Sequence, residues 1–530
     1  MSLDQLYIVL LAGGLTLLAS LAAVRLAGRF GLPALLAFLA LGVLLGESVL
    51  GVKFENAQLA QNLGMVALAL ILIDGGLTTR WTDIRTLVLP AGVLATLGVA
   101  ISTGIIALGG HYLLGMEWRT SLLLGAIVSS TDAAAVFSVL RHLPLPPRVA
   151  GLLEAESGFN DAPTVILVLL LSTAVPAGPV FVLGDLVYEL FIGVLIGLAI
   201  GWAGAQMARR IALPAAGLYP LLSVGLGMVA FATAGAVHAS GFIAAYAASV
   251  LLGNTPLPHR AATRSFAEGA AWLAQIGLFV MLGLLVSPDR LPAVVLPALV
   301  IGAVMLLIAR PVSVAVSLLP FRRSWREQAV ISWAGLRGAV PIVLATIPVV
   351  SEVPGAWYLL DIVFVLVVVF TLIQGPSLAP LVRGLGLADP EQTRDVEIEA
   401  APLDVIGASL MTVTIPKSSK LHGLYIFELR LPETSVINSI VRNGRLFVPE
   451  PNDRLHIGDE LLIVTLTGTR AATEDRLRAL GRQGKLAKWH GEHGRLIPHR
   501  RASIYWHTSH VRLRSLAHHH GEGLRVSVSR

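Results

Sequence analysis

The sequence contains no cysteine, and that absence removes three kinds of chemistry at once. No disulfide framework, thiolate nucleophile or cysteine-ligated metal centre can be built from it. Charge is also scarce. Asp, Glu, Lys and Arg together make up 14% of the 530 residues, against 55% hydrophobic ones. A soluble chain of this length needs more charge than that to cover its surface. The short alternating segments of a membrane barrel are missing as well. In their place, apolar runs of about 20 residues recur from Leu6 to Leu381, each long enough to cross a hydrocarbon core of roughly 30 Å. They predict a polytopic α-helical membrane protein, because a backbone in lipid must satisfy its own hydrogen bonds. The first run, Leu6 to Ala27, has no basic n-region and closes with Arg25 and Arg29, so it reads as a retained span. The net charge of +6 follows from where the basic residues lie, and no nucleic-acid partner is expected.

Hydropathy places about thirteen spans, near 5–28, 31–50, 60–78, 86–114, 119–141, 152–176, 181–208, 217–236, 239–253, 268–287, 292–318, 327–350 and 356–386. Alternate loops hold Arg25 and Arg29, Arg80 and Arg85, Arg141 and Arg148, Arg209 and Arg210, Arg260 and Arg264, and Arg322, Arg323 and Arg326. The intervening loops hold little beyond Lys53, Arg119 and Arg290. The positive-inside rule then puts the N-terminus outside and the C-terminal region in the cytoplasm. An odd span number fits two inverted six-span repeats joined by a connecting span, a common plan in secondary transporters. That pairing sets the fifth span, with Ser129-Ser130-Thr131-Asp132-Ala133, opposite the twelfth, with Gly335-Leu336-Arg337-Gly338-Ala339-Val340-Pro341. Small and polar sequence at mid-span predicts two crossed, interrupted helices and a transport site between them.

Ionisable residues inside a bilayer are costly and need a reason. Here they are Asp132 in span 5, Glu154, Glu156 and Asp161 in span 6, Arg310 in span 11, Arg337 in span 12 and Asp74 near the end of span 3. A dehydrated monovalent cation needs several oxygen ligands and a full negative charge, and a proton exchanger needs that charge to be protonatable. Asp161 fits, with Asn160, Thr131 and Ser157 as neutral ligands. Glu156 lies five residues earlier, turned away by about 140° on an ideal helix. It is expected to pair with Arg310 in a structural ion pair. Asp132 can take part in ion binding or cap a half-helix through backbone N–H groups, and both readings stay open. Arg337 is expected to neutralise the facing C-termini of the half-helices. Asp74 is a candidate for the ion path or a charge that reaches interfacial water. The competing classes are a regulated monovalent cation channel and an intramembrane aspartyl protease. No carbonyl-filter segment of the T-V-G-Y-G kind supports the first, and no G-x-G-D sequence supports the second.

In order along the chain, Ser130-Thr131-Asp132-Ala133-Ala134-Ala135-Val136, Glu156-Ser157-Gly158-Phe159-Asn160-Asp161, Ser240-Gly241-Phe242-Ile243-Ala244-Ala245-Tyr246, Ala309-Arg310-Pro311, Gly335-Leu336-Arg337-Gly338-Ala339-Val340 and Ile373-Gln374-Gly375 resemble the monovalent cation:proton antiporter superfamily, in its NhaP-like bacterial branch. The resemblance covers about 1–390. It implies that Asp161 carries the exchanged proton or cation, with Thr131, Asp132 and Ser157 nearby and a supporting Glu156–Arg310 pair. It also implies a homodimer in the inner membrane, whose core bundle moves like an elevator against a dimerisation bundle. The Asn160-Asp161 pair implies electroneutral exchange. Gly158 departs from the family, where a larger residue is common.

The composition turns polar after Gly384. A linker is expected at 391–402, a small α/β unit at 403–482 and a basic tail at 483–530. Strands are predicted at Met411–Ile415, Ile437–Val441, Leu446–Val448 and Leu461–Thr465, with a hairpin at Asn443-Gly444 and a short helix from Leu421 to Leu429. Ile415-Pro416, Leu421-His422-Gly423, Ile440-Val441-Arg442, Pro449-Glu450-Pro451 and Gly458-Asp459-Glu460 resemble the C-terminal half of potassium-conductance regulators, the RCK-C or TrkA-C domain. This implies dimerisation or an unidentified small regulatory ligand at 403–482, and it favours potassium over sodium as the exchanged cation. The Gly-rich phosphate turn of the larger regulator is missing, so no NAD and no other cofactor is expected. The tail, rich in Arg, Lys, His and Gly, is expected to be disordered and to lie on anionic membrane lipids. Its His518-His519-His520 cluster is not expected to hold a functional metal.

Overall fold

Each apolar run contains a helix. The computed structural model describes residues 3–488 except 30–32, 48–50, 53, 55, 133–144, 174–178, 212, 216, 388–396, 404–407 and 467. The helices are α1 (Leu3–Arg29), α2 (Ala34–Leu45), α3 (Ala57–Thr78), α4 (Val88–Leu114), α5 (Trp118–Ser129), α6 (Pro147–Ser172) and α7 (Pro179–Arg210). They continue with α8 (Leu218–Ala236), α9 (Gly241–Asn254), α10 (Arg260–Leu285), α11 (Pro288–Phe321), α12 (Trp325–Ala334), α13 (Ala339–Val350) and α14 (Ala356–Gly384). Among the described residues, eight are long and apolar enough to cross a membrane singly, and α12 with α13 make a ninth as one span bent by 55°.

The helices sort into two groups by what they pack against. In one, α10 lies against α2, α3 and α8, while α9 lies against α3, α7 and α8. In the other, α4 packs on α5 and α6, α5 on α6, and α14 on α11 and α13. The groups meet where α3 crosses α13. Gly64 of α3 makes that approach, since a Cβ there would stand 3.0 Å from the Val343 methyls. The second group has a closely packed apolar centre around its buried polar side chains. Leu123, Ile127, Leu336, Ile342, Leu344 and Leu366 are all fully buried.

Local chemistry explains several helix ends. Pro147 opens α6, where a missing N–H costs nothing. Ser324 and Glu327 form a reciprocal capping box at the start of α12. The α4 and α11 helices each contain one wide turn, at Leu94–Gly98 and Met305–Ala309. They lie in helices that the expected repeats pair, nearer the start of α4 than of α11, and such turns are frequent at functional sites.

The soluble unit is an antiparallel sheet of β1 (Glu397–Leu403), β2 (Ala408–Thr414), β3 (Ser435–Arg442), β4 (Arg445–Phe447) and β5 (Glu460–Leu466), ordered β1-β2-β5-β3-β4. Helix α15 (Arg470–Gln483) covers it, and the core between them is Met411, Val413, Ile440, Leu461, Ile463, Leu477 and Leu480. Asn443 and Gly444 both have positive φ, as the tight turn of a two-residue hairpin requires. Two expectations are corrected. Residues 397–402, read as linker, belong to β1, which pairs with β2 from Glu397↔Thr414 to Leu403↔Ala408. Pro402 is compatible with it because β1 is an edge strand. Leu421 to Leu429 is not a helix apart from a short 3-10 turn at Ile426–Glu428. Gly423 takes φ +83° there and breaks the helical path. The tail from 489, with its His518-His519-His520 cluster, lies outside the described residues.

Candidate functional site

The two interrupted helices meet at Asp132. α5 stops at Ser129, and Ser130 turns to an extended conformation with φ −63° and ψ 139°. The chain then runs beside the break between α12 and α13. The Asp132 N–H donates to the Leu336 carbonyl at 3.0 Å, and Asp132 Oδ2 accepts the Ala339 N–H at 2.8 Å. Asp132 therefore caps the start of α13 from a position 207 residues away. Gly338 allows this contact, because a Cβ there would fall on the Asp132 carboxylate. Residues Ala133 to Val136 of the motif lie outside the described residues.

The opposite ends of the broken helices are met by Arg337, which is 2% exposed. Its Nε donates to the Val128 carbonyl at 2.7 Å and its NH1 to the Gly335 carbonyl at 2.6 Å. Both carbonyls end helical turns, so the guanidinium sits on two converging negative dipole ends. Thr371 of α14 secures the arrangement by donating to the Arg337 carbonyl at 2.8 Å.

Asp161 lies on α6 beside the same crossing, 5% exposed. Ser130 Oγ donates to its Oδ1 at 2.9 Å. Asn160 Nδ2 donates to Thr131 Oγ1 at 2.5 Å. That leaves Asn160 Oδ1 buried without a hydrogen-bond partner among the described residues. A carboxylate, a hydroxyl and an unpartnered amide oxygen thus converge from α6 and the end of α5. These are hard oxygen donors of the type a dehydrated alkali cation accepts.

Glu156 and Arg310 meet through two bonds of 2.5 and 2.8 Å, and both are buried. The wide turn Met305–Ala309 immediately precedes Arg310, and Gly335 leaves room for its Nε. The pair therefore braces α6 against α11, apart from Asp161.

Of the sequence-predicted residues, Asp161, Asn160, Thr131 and Asp132 come together. Ser157 Oγ donates to the Leu153 carbonyl of its own helix at 2.6 Å, which leaves its oxygen lone pairs free. Asp74 is half-buried near the end of α3, and the hydrogen bonds just described do not reach it. Ser130 was missed as a partner of Asp161, although its motif was recognised. Thr79 and Tyr246 were also missed. Thr79 donates to Glu154 Oε1 at 2.9 Å and contacts the Tyr246 hydroxyl at 3.5 Å. Tyr246 packs edge-on to Phe159 with centroids 5.9 Å apart, and it occupies the space that the small Gly158 leaves, 3.2 Å from a built Cβ.

The transmembrane sodium/hydrogen exchanger family matches residues 16–384, and the TrkA-C domain matches 410–478. The chain is 35% identical over 472 residues to the K(+)/H(+) antiporter NhaP of Alkalimonas amylolytica, covering 87% of this chain and 82% of that one. It is 36% identical over 474 residues to the K(+)/H(+) antiporter NhaP2 of Shewanella oneidensis, covering 88% and 82%. In fold it resembles the sodium proton antiporter MjNhaP1 of Methanocaldococcus jannaschii, with a TM-score of 0.62 at 22% identity, over 72% of this chain and 99% of that one. The chain belongs to the sodium/hydrogen exchanger family and carries a TrkA-C domain behind its membrane unit.

Proposed function

We propose that this protein is a secondary antiporter that exchanges protons for a monovalent cation at Asp161, with potassium preferred over sodium. The observation that carries the proposal is the contrast among the buried charges. Glu156 is matched by Arg310, Asp132 is engaged by a helix N-terminus, and Arg337 by helix carbonyls. Among the described residues Asp161 has only a hydroxyl donor, and the amide oxygen of the neighbouring Asn160 has no partner there. A carboxylate in that position is neutralised by a proton or by a cation, and one site occupied alternately by either couples the two fluxes. Asp161, Asn160, Thr131 and Ser130 make up the ion site. Asp132 and Arg337 hold the crossed helices, Glu156 and Arg310 brace them, and Asp74 belongs to the approach from the cytoplasm.

With one exchanged carboxylate, exchange of one cation for one proton is electroneutral. The preference for potassium rests on the relatives matched along most of the chain, which are named for potassium. In this reading the Arg-rich loops and the TrkA-C unit face the cytoplasm of an inner membrane. The membrane unit associates as a homodimer, with lipid covering the rest. The exposed apolar face of α1, including Tyr7, Leu11 and Leu18, is consistent with such cover. The soluble unit at 403–482 responds to a small ligand.

The test is reconstituted flux. Proteoliposomes loaded with potassium or sodium are held at zero potential and then at an imposed one, and internal pH is followed. Cation-dependent proton movement that is faster with potassium and insensitive to an imposed potential supports the proposal. Cation flux without proton counter-movement would identify a channel instead.

A further inference from the structure

A cavity of about 220 Å³ that the exchange site does not use lies between the two helix groups. Glu47 and Phe54, from the loop after α2, and Leu284, from the end of α10, line it on one side. Ser287 and Arg290, around the start of α11, and Trp357, at the start of α14, line it on the other. It is smaller than the roughly 300–1,000 Å³ of sites for drug-sized molecules, so it suits a small polar group.

One arginine sets the chemistry of the second wall. Arg290 turns Nε and NH2 toward the Asp361 carboxylate, at 3.2 and 3.4 Å, and Asp361 is 3% exposed. Trp357 stands four residues earlier on the same face of α14, and the guanidinium lies over its ring, 5.2 Å from the centroid. The carboxylate and the ring together hold Arg290 at the cavity. Its NH1 has no protein partner among the described residues, and its side chain is 42% exposed. From the other helix group, the exposed Glu47 brings a carboxylate to the same space. A positively charged donor and a negatively charged acceptor therefore share one small cavity.

The position narrows the choice of ligand. α2 ends at Leu45 and α10 at Leu285, while the apolar spans of α11 and α14 begin at Pro288 and Ala356. Four apolar elements stop at the cavity, which sets it at the level of the lipid headgroups, where a half-exposed tryptophan such as Trp357 is at home. It is the face away from the Arg-rich loops, since α10 starts at Arg260 and α11 ends just before Arg322. A lone anion there meets the Glu47 charge, and a lone cation meets the guanidinium. A phosphate and a primary ammonium a few bonds apart match both walls and add no net charge.

We infer that this cavity binds a phosphoethanolamine group, with its phosphate on Arg290 and its ammonium on Glu47. The group is the headgroup of phosphatidylethanolamine or a soluble phosphoethanolamine. Bound there, it touches both helix groups and stabilises the folded chain by mass action.

Binding is tested on the full chain in detergent, without reference to transport. Phosphatidylethanolamine, phosphatidylglycerol and soluble phosphoethanolamine are offered separately, bound molecules are counted by native mass spectrometry, and thermal unfolding is followed. The native chain is expected to hold the ethanolamine lipid about tenfold more tightly than phosphatidylglycerol, the effect of one charge-assisted hydrogen bond, and to melt higher with it. Glu47→Gln should remove that preference, and Glu47→Lys should turn it toward phosphatidylglycerol. Arg290→Gln combined with Asp361→Asn leaves no buried charge unpaired and should weaken binding about tenfold as well. Glu352→Gln, exposed before α14 and outside the cavity, should bind as the native chain does. Retention of the lipid without phosphoethanolamine binding assigns the headgroup, and phosphoethanolamine binding assigns the soluble compound. Binding of neither, equal retention of the two lipids by the native chain, native-like binding in both Glu47→Gln and the double variant, or equal loss in Glu352→Gln overturns the inference.

Discussion

Asp132 and Asp161 are both buried carboxylates at one helix crossing, yet their neighbours give them different work. Asp132 accepts the Ala339 N–H and sits against Gly338, so most of its effect is on the shape of the crossing. Asp132→Asn keeps an oxygen that can accept the same bond, whereas Asp132→Ala loses the cap at a cost of about 1 kcal/mol. The alanine variant should therefore melt at a lower temperature than the asparagine variant, as read by a thermal shift of the purified protein. If the two melt alike, the capping role is wrong. Gly338→Ala drives a methyl group into the Asp132 carboxylate. Overpacking of this kind costs about 1–3 kcal/mol, and the variant should lose exchange while still reaching the membrane. Native exchange by Gly338→Ala would contradict the tight crossing. The intramembrane acids could be picked out along the chain because they are so few in an apolar background. Their partners could not. The bond from Ser130 to Asp161 and the cap on Ala339 depend on how distant segments cross, which no local pattern records. The bond from Ser157 to its own helix carbonyl is likewise not written in any local pattern.

At the scale of elements, the Glu156–Arg310 pair fixes α6 to α11, and the wide turn before Arg310 is what presents the guanidinium. Removal of either partner strands a buried charge at about 3–5 kcal/mol. Glu156→Ala should consequently reduce the folded yield severely. The double substitution Glu156→Gln with Arg310→Met should recover part of it, measured by monodisperse elution after extraction. A double variant worse than the sum of the singles would show that the pair is more than a structural brace. The helices themselves followed from hydropathy, because lipid enforces backbone bonding within each span. The soluble elements followed less well. β1 alternates Glu397 and Glu399 with apolar residues and contains Pro402, so locally it reads as linker, and its strand state comes from pairing with β2. The 421–429 segment has helical composition, but the positive φ of Gly423 overrides it.

At the scale of the whole molecule, two units with separate cores share one chain. Asp459, fully buried, accepts both nitrogens of Arg442 at 2.8 Å and the His456 N–H at 2.8 Å. Asp459→Ala should open the soluble unit to protease while the membrane unit stays intact. Limited proteolysis of the reconstituted full chain checks this, and equal resistance to native would contradict it. The central claim concerns Asp161 and is tested by a single substitution, Asp161→Asn. Native and variant chains are reconstituted, a proton gradient is imposed, and its dissipation on addition of potassium or sodium is recorded across pH. The account predicts that the native chain dissipates the gradient, fastest with potassium, while the correctly folded variant does not respond to either cation at any pH. A folded Asp161→Asn chain that exchanges at the native rate would contradict it.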